Sequence, residues 1–364
     1  MRSHVRRFFI LLPCLFVIAS ALEASASTIT QNVSWTIDRP GTDVKYRIVA
    51  YGDSIFAGYK GSVLEVAIYA APTVDGDYAQ ADWNADVETF RRAKSGATAK
   101  QIYEDKIVDD VKFMQAANTR VVAFEMCGND ALQARNDFKT QDGTCDYGKL
   151  DDALADCTTY QELAMQFINA NAAAGTKRKI IMNLYYAGYD DDDQPADCTN
   201  SPGGEHPNRQ DVFLQYLAHI NWRACHFAQM NGFECEDAFA QFMGSDFDSN
   251  ADGRRDSRAL RYRRGESESG YVTRITTTLR PTIRDPNAHF VTATRSFDYI
   301  QSDDTHPTFS GGDTSLGIFS NTAKGSSAPR YPDEQYADGK VPIWRKFGHE
   351  RIGTGLSVFN PDTP

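Results

Sequence analysis

Beyond residue 26 the chain has no apolar run long enough to cross a bilayer. It has no Cys-x-x-Cys pair, which weakens any reading of its cysteines as a metal centre. It has no internal repeat, which excludes solenoids and propellers. Basic residues are in deficit: 38 Lys and Arg against 49 Asp and Glu give a net charge of −11. A chain this acidic repels polyanions, so nucleic acid is not expected among its partners.

The one apolar run stands at the start. Arg2, Arg6 and Arg7 precede apolar residues Phe8 to Ser20, and Ala24-Ser25-Ala26 follows. A basic start, a short apolar stretch and small residues read as an export signal over 1–26, cleaved near Ala26. The mature chain is then secreted, extracellular or periplasmic, with no transmembrane segment. Six cysteines lie beyond the signal: Cys127, Cys145, Cys157, Cys198, Cys225 and Cys235. An even number in an exported chain suggests up to three disulfides. Cys225 and Cys235 are close enough in sequence to pair, leaving the other four for two more bridges.

Short apolar runs alternate with longer helical patterns. Strands are predicted at 45–51, 87–92, 120–126, 178–185 and 233–235, and helices at 98–116, 149–174 and 210–231. Strands separated by helices imply a parallel sheet with crossovers. The expected fold is a three-layer α/β/α domain over 27–364, with a central, mostly parallel five-stranded sheet. Loop insertions are expected near 188–209 and 244–270, and an irregular segment from about 315.

Chemistry is expected at the strand ends. Gly52-Asp53-Ser54 comes straight off the run Tyr46–Tyr51, which places a hydroxyl at the carboxyl edge of the sheet. A serine needs a base and the base needs an orienting group. Asp303 stands three residues before His306. Ser95-Gly96-Ala97-Thr98 follows the second strand, and Gly128-Asn129-Asp130 follows the third. Taken singly, each of these is an ordinary turn or a surface histidine.

In this order the four blocks resemble those of the SGNH (GDSL-type) hydrolases. The resemblance runs from residue 45 to about 315. It implies a flavodoxin-like strand order, with Ser54 as nucleophile, His306 as general base and Asp303 as its orienter. It also implies an oxyanion hole made of the Ser54 N–H, the Gly96 N–H and the Asn129 side-chain amide. The expected activity is cleavage of a carboxylic ester through an acyl-serine intermediate. The substrate would be a lipid, an acetylated carbohydrate or a short-chain ester. No cofactor is needed for that chemistry. Acyl transfer with the same triad is the alternative, and a non-catalytic, calcium-stabilised binding protein is a third. The family's third block usually reads Gly-x-Asn-Asp, and here Cys127 stands in place of its first glycine.

One further motif is independent of the triad. Asp248, Asn250, Asp252 and Asp256 fall at positions 1, 3, 5 and 9 of an EF-hand-like loop, with Gly253 at the sharp turn. Ala259 replaces the usual bidentate glutamate, so Asp246 or Glu266 would have to complete the shell. The loop reads either as a structural calcium site or as an exposed acidic loop. Tyr185, Tyr186 and Tyr189 after the fourth strand read equally as pocket lining or as strand-end packing.

Overall fold

The computed structural model describes residues 30–38, 41–57, 85–184, 198–200, 209–239 and 260–283. Six strands form one sheet: β1 (Thr30–Ile37), β2 (Lys45–Gly52), β3 (Asp86–Lys94), β4 (Thr119–Glu125), β5 (Arg178–Met182) and β6 (Glu234–Glu236). Their order is β1-β3-β2-β4-β5-β6. All neighbours pair in parallel except β1 with β3.

The five parallel strands are those expected from the apolar runs. Numbered among themselves, they stand in the order 2-1-3-4-5, the flavodoxin-like doubly wound arrangement. The sixth is a correction to the expected five. β1 lies antiparallel on the outer edge of β3, from Thr30 opposite Lys94 to Ile37 opposite Val87. It spares β3 an open edge in a sheet that would otherwise offer one.

Every residue from Ile48 to Gly52 and from Val121 to Glu125 is buried. A strand is buried on alternate residues when one face is bare and on all of them when both faces are covered. Helices therefore cover both faces at the centre, making three layers. β3, nearer the edge, alternates between buried and half-buried residues along its length. On its partly open face Glu88 accepts hydrogen bonds from Arg47 of β2 and from Asn118.

The helices are α1 (Ala99–Ile102), α2 (Gly128–Phe138), α3 (Gly148–Asn171), α4 (Arg209–Asn231) and α5 (Glu268–Ile283). The single helix predicted at 98–116 is broken. A Thr98 capping box with Gln101 starts α1. A π-helical segment, Tyr103–Val108, and a 3-10 turn, Val111–Phe113, follow it. Asp110 explains the interruption: Arg92 holds its carboxylate at 2.8 and 3.0 Å, and Tyr51 donates to its carbonyl.

Two disulfides are present, Cys145–Cys198 and Cys225–Cys235. The first joins the loop between α2 and α3 to Cys198, where Gly143 also forms a bridge. The third expected bridge is absent: Cys127 and Cys157 are free thiols, both buried. They are hydrogen-bonded to each other, and burial pushes both well above the ordinary thiol pKa. No helix among the described residues is long and apolar enough to cross a membrane.

Candidate active site

The parallel order reverses between β2 and β4, the position at which open doubly wound sheets bind their ligands. Gly52-Asp53-Ser54 leaves the end of β2 and Cys127-Gly128-Asn129 leaves the end of β4. Register sets them side by side: Tyr51 pairs with Phe124, which brings Gly52 beside Glu125.

Asp53 turns the chain at the strand end. Its carbonyl accepts the Ala57 N–H at 2.9 Å, closing a helical turn, and its Oδ1 accepts the Ile55 N–H at 2.9 Å. That is the hydrogen bond by which an N-terminal capping aspartate satisfies a first-turn donor. Ser54 opens this turn and is nearly buried. Its hydroxyl donates weakly to Asp53 Oδ1, at 3.4 Å.

Asn129, in the first turn of α2, reaches the same carboxylate. Its Nδ2 donates to Asp53 Oδ2 at 3.0 Å and to the Ala97 carbonyl at 2.9 Å. Both hydrogens of the amide are thus engaged, and the amide joins all three loops. Gly96, one residue before Ala97, sits exposed on the turn after β3 with φ of +75°. Asp130 binds α1 into the same cluster by accepting the Ala99 N–H at 2.8 Å. Burial pushes the Asp130 carboxyl up to about 6.

Two glycines make this approach possible. A Cβ at position 52 would collide with Glu125 Oε1 and stand 2.9 Å from Phe56 Cβ. A Cβ at 128 would stand 2.8 Å from Asp53 Oδ2. Cys127, by contrast, occupies a backbone conformation suited to glycine. Its φ of +82° is the one left-handed value among described non-glycine residues. A β-carbon there costs about 1–2 kcal/mol relative to glycine.

Glu125 is the site residue that motif reasoning missed. It ends β4, is 1 % exposed, and its Oε1 accepts the Asp53 N–H at 2.5 Å. It also accepts from the Phe56 N–H and is hydrogen-bonded to the Asp53 side chain. Burial first, then the charge of Asp53, holds its carboxyl well above the usual carboxylate range. The available signal was an acid closing an apolar strand run.

The other expected residues lie outside the described ones: Asp303, His306, the loop Asp248–Asp256, and Tyr185, Tyr186 and Tyr189. Glu266, one candidate to complete a calcium shell, is held by Arg274 at 2.8 and 2.6 Å. Among the described residues no group of three or more His, Cys, Asp or Glu could hold a metal ion.

Among the solved structures to which the chain is similar are lipases and esterases. An extracellular lipase from Streptomyces rimosus matches at 17% identity over 57% of this chain and 86% of that one, with a TM-score of 0.37. A phospholipase A1 from Streptomyces albidoflavus matches at 15% identity over 65% and 99%, also at 0.37. An acetylxylan esterase from Geobacillus stearothermophilus matches at 15% over 56% and 80%, at 0.31. Neither a protein-family model nor a curated protein matches.

Proposed function

We propose that this protein is an exported serine hydrolase of carboxylic esters, working through an acyl-serine intermediate. The observation that carries the reading is the meeting of Ser54, Asn129 and the turn of Gly96 where the parallel strand order reverses. In this reading Ser54 attacks the acyl carbonyl and His306 takes its proton. Asp303 holds the imidazole in the tautomer that accepts it. His306 then protonates the departing alkoxide, and the same base activates the water that releases the acid. The oxyanion is met by the N–H groups of Ser54 and Gly96 and by the Asn129 amide. Asn129 serves by exchanging one of its present acceptors, Asp53 or Ala97, for the oxyanion.

The histidines within the described residues are otherwise engaged. His219 pairs with Glu268 at 2.8 Å, and His226 stacks on Trp222. Both stand on α4, and His306 is assigned as the base from its sequence block.

The test is turnover of activated esters of increasing acyl length by the mature protein and by Ser54→Ala. A fluorophosphonate probe reads the nucleophile directly. Ser54→Ala is expected to lose about 10⁴-fold or more in kcat, and labelling should map to Ser54. Undiminished turnover in Ser54→Ala would overturn the mechanism.

A further inference from the structure

The turn that presents Ser54 is held from below by a residue with no part in the proposed chemistry. The Glu125 carboxyl accepts the backbone N–H of Asp53, one residue before Ser54, and that of Phe56, two residues after it. It is also hydrogen-bonded to the Asp53 carboxyl. Asp53 in turn accepts from the Ile55 N–H, the Ser54 hydroxyl and the Asn129 amide. Two carboxyl groups this close, both almost wholly buried, cannot both carry charge without a cation between them. One shared proton resolves this. It leaves Asp53 with the charge that its three donors favour and makes Glu125 the carboxylic acid that donates to it.

We propose that Glu125 is a positioning residue of the site, held neutral by the proton it shares with Asp53, which fixes the Ser54 turn and, through Asp53, the Asn129 amide. The proposal rests on the esterase reading for its effect on rate, but not for its geometry. The anchoring is direct on both sides of the nucleophile. A shift of this turn would move the Ser54 oxygen and the Ser54 N–H together, so attack and oxyanion stabilisation would suffer at once. Among the described residues, Asp53, Cys127 and Asp130 are ionisable groups coupled to this cluster, with Cys157 and Asp156 acting on the last two.

Glutamine and methionine at position 125 separate this role from simple core packing. In Glu125→Gln the amide oxygen can accept both backbone N–H groups, and its NH₂ can donate to Asp53 as the acid does. Methionine fills similar space and does neither. With the full mature chain, Glu125→Gln is expected to keep kcat and the rate of fluorophosphonate labelling within about threefold of wild type. Glu125→Met is expected to lose roughly 100-fold in both, with KM changed by less than about threefold. Equal losses in Gln and Met, or wild-type kcat in Met, would overturn the proposal. A second readout needs no activity: the ¹³C shift of the Glu125 side-chain carboxyl at about pH 7, where an ordinary glutamate is ionised. A protonated shift supports the proposal, and an ionised one overturns it. A wild type that turns over no ester would refute the esterase reading, while the carboxyl shift would still decide whether the proton is shared.

Discussion

Replacing Asp130 with asparagine should stabilise the protein at neutral pH and leave it unchanged in acid. Asp130 is buried, and its carboxyl is pushed up from 3.8 to about 6, chiefly by burial. A folded pKa above the unfolded one means that the native state binds the proton more tightly. The stabilising contribution is complete below about pH 3.8 and lost as pH rises through about 6. Two pKa units at 1.36 kcal/mol each make that loss roughly 3 kcal/mol. Asparagine retains an oxygen for the Ala99 N–H and has no charge to bury. Asp130→Asn should therefore gain up to roughly 3 kcal/mol over wild type at pH 7 to 8, shrinking to near zero by about pH 4. Urea unfolding of both proteins across this range gives the difference directly, because groups common to both cancel. The dependence on urea concentration should be the same in each. A difference that does not change with pH, or a variant less stable at pH 7, would refute the reasoning.

Gly52→Ala should destabilise by about 1–3 kcal/mol, since the new methyl group meets Glu125 and Phe56 inside contact distance. Because Glu125 also anchors the Ser54 turn, ester turnover at a temperature well below the melting point should fall further than stability alone explains, and wild-type kcat would count against it. The cysteines make a thiol count testable: in protein lacking residues 1–26, Ellman's reagent should find two free thiols, Cys127 and Cys157, and only after denaturation. Removing Cys145–Cys198, with a sequence separation of 53, should cost up to about 4 kcal/mol by the loop-entropy argument, against about 3 for Cys225–Cys235, separated by 10. A reversed order in denaturant melts would refute the loop argument.

The parallel strands were legible because burial on both faces leaves nearly continuous apolar runs such as Ile48–Tyr51 and Val121–Phe124. β1 was not. Its exposed polar residues, Asn32, Ser34 and Thr36, make no apolar run, and its pairing with β3 closes across some 50 residues of chain. α2 was hidden by its own first turn, since Gly128-Asn129-Asp130 has the composition of a loop. The chain enters that helix through the left-handed Cys127, a conformation no local pattern announces. The long helix at 98–116 failed for a tertiary reason: Arg92 and Tyr51 draw Asp110 out of a helical continuation.

The motifs of Ser54, Gly96 and Asn129, which the structure brings together, could be read in the sequence, and what holds them could not. Gly52-Asp53-Ser54 directs attention to the serine, yet Asp53 carries most of the contacts in the structure. It caps the Ser54 turn, accepts from Asn129 and shares a hydrogen bond with Glu125. Glu125 stands 72 residues from Asp53, and no spacing rule relates the two. Only the parallel register of β2 on β4 does so, and that register follows from burying both strands at the sheet centre. The two glycines then acquire one explanation. Gly52 leaves space for Glu125 against the strand end, and Gly128 leaves space for the carboxylate of Asp53. Both are needed because a buried acid pair occupies the position where a side chain would otherwise stand. The two glycines are therefore best understood as the clearance for a pair of buried carboxyl groups beside Ser54, Gly52 for that of Glu125 and Gly128 for that of Asp53.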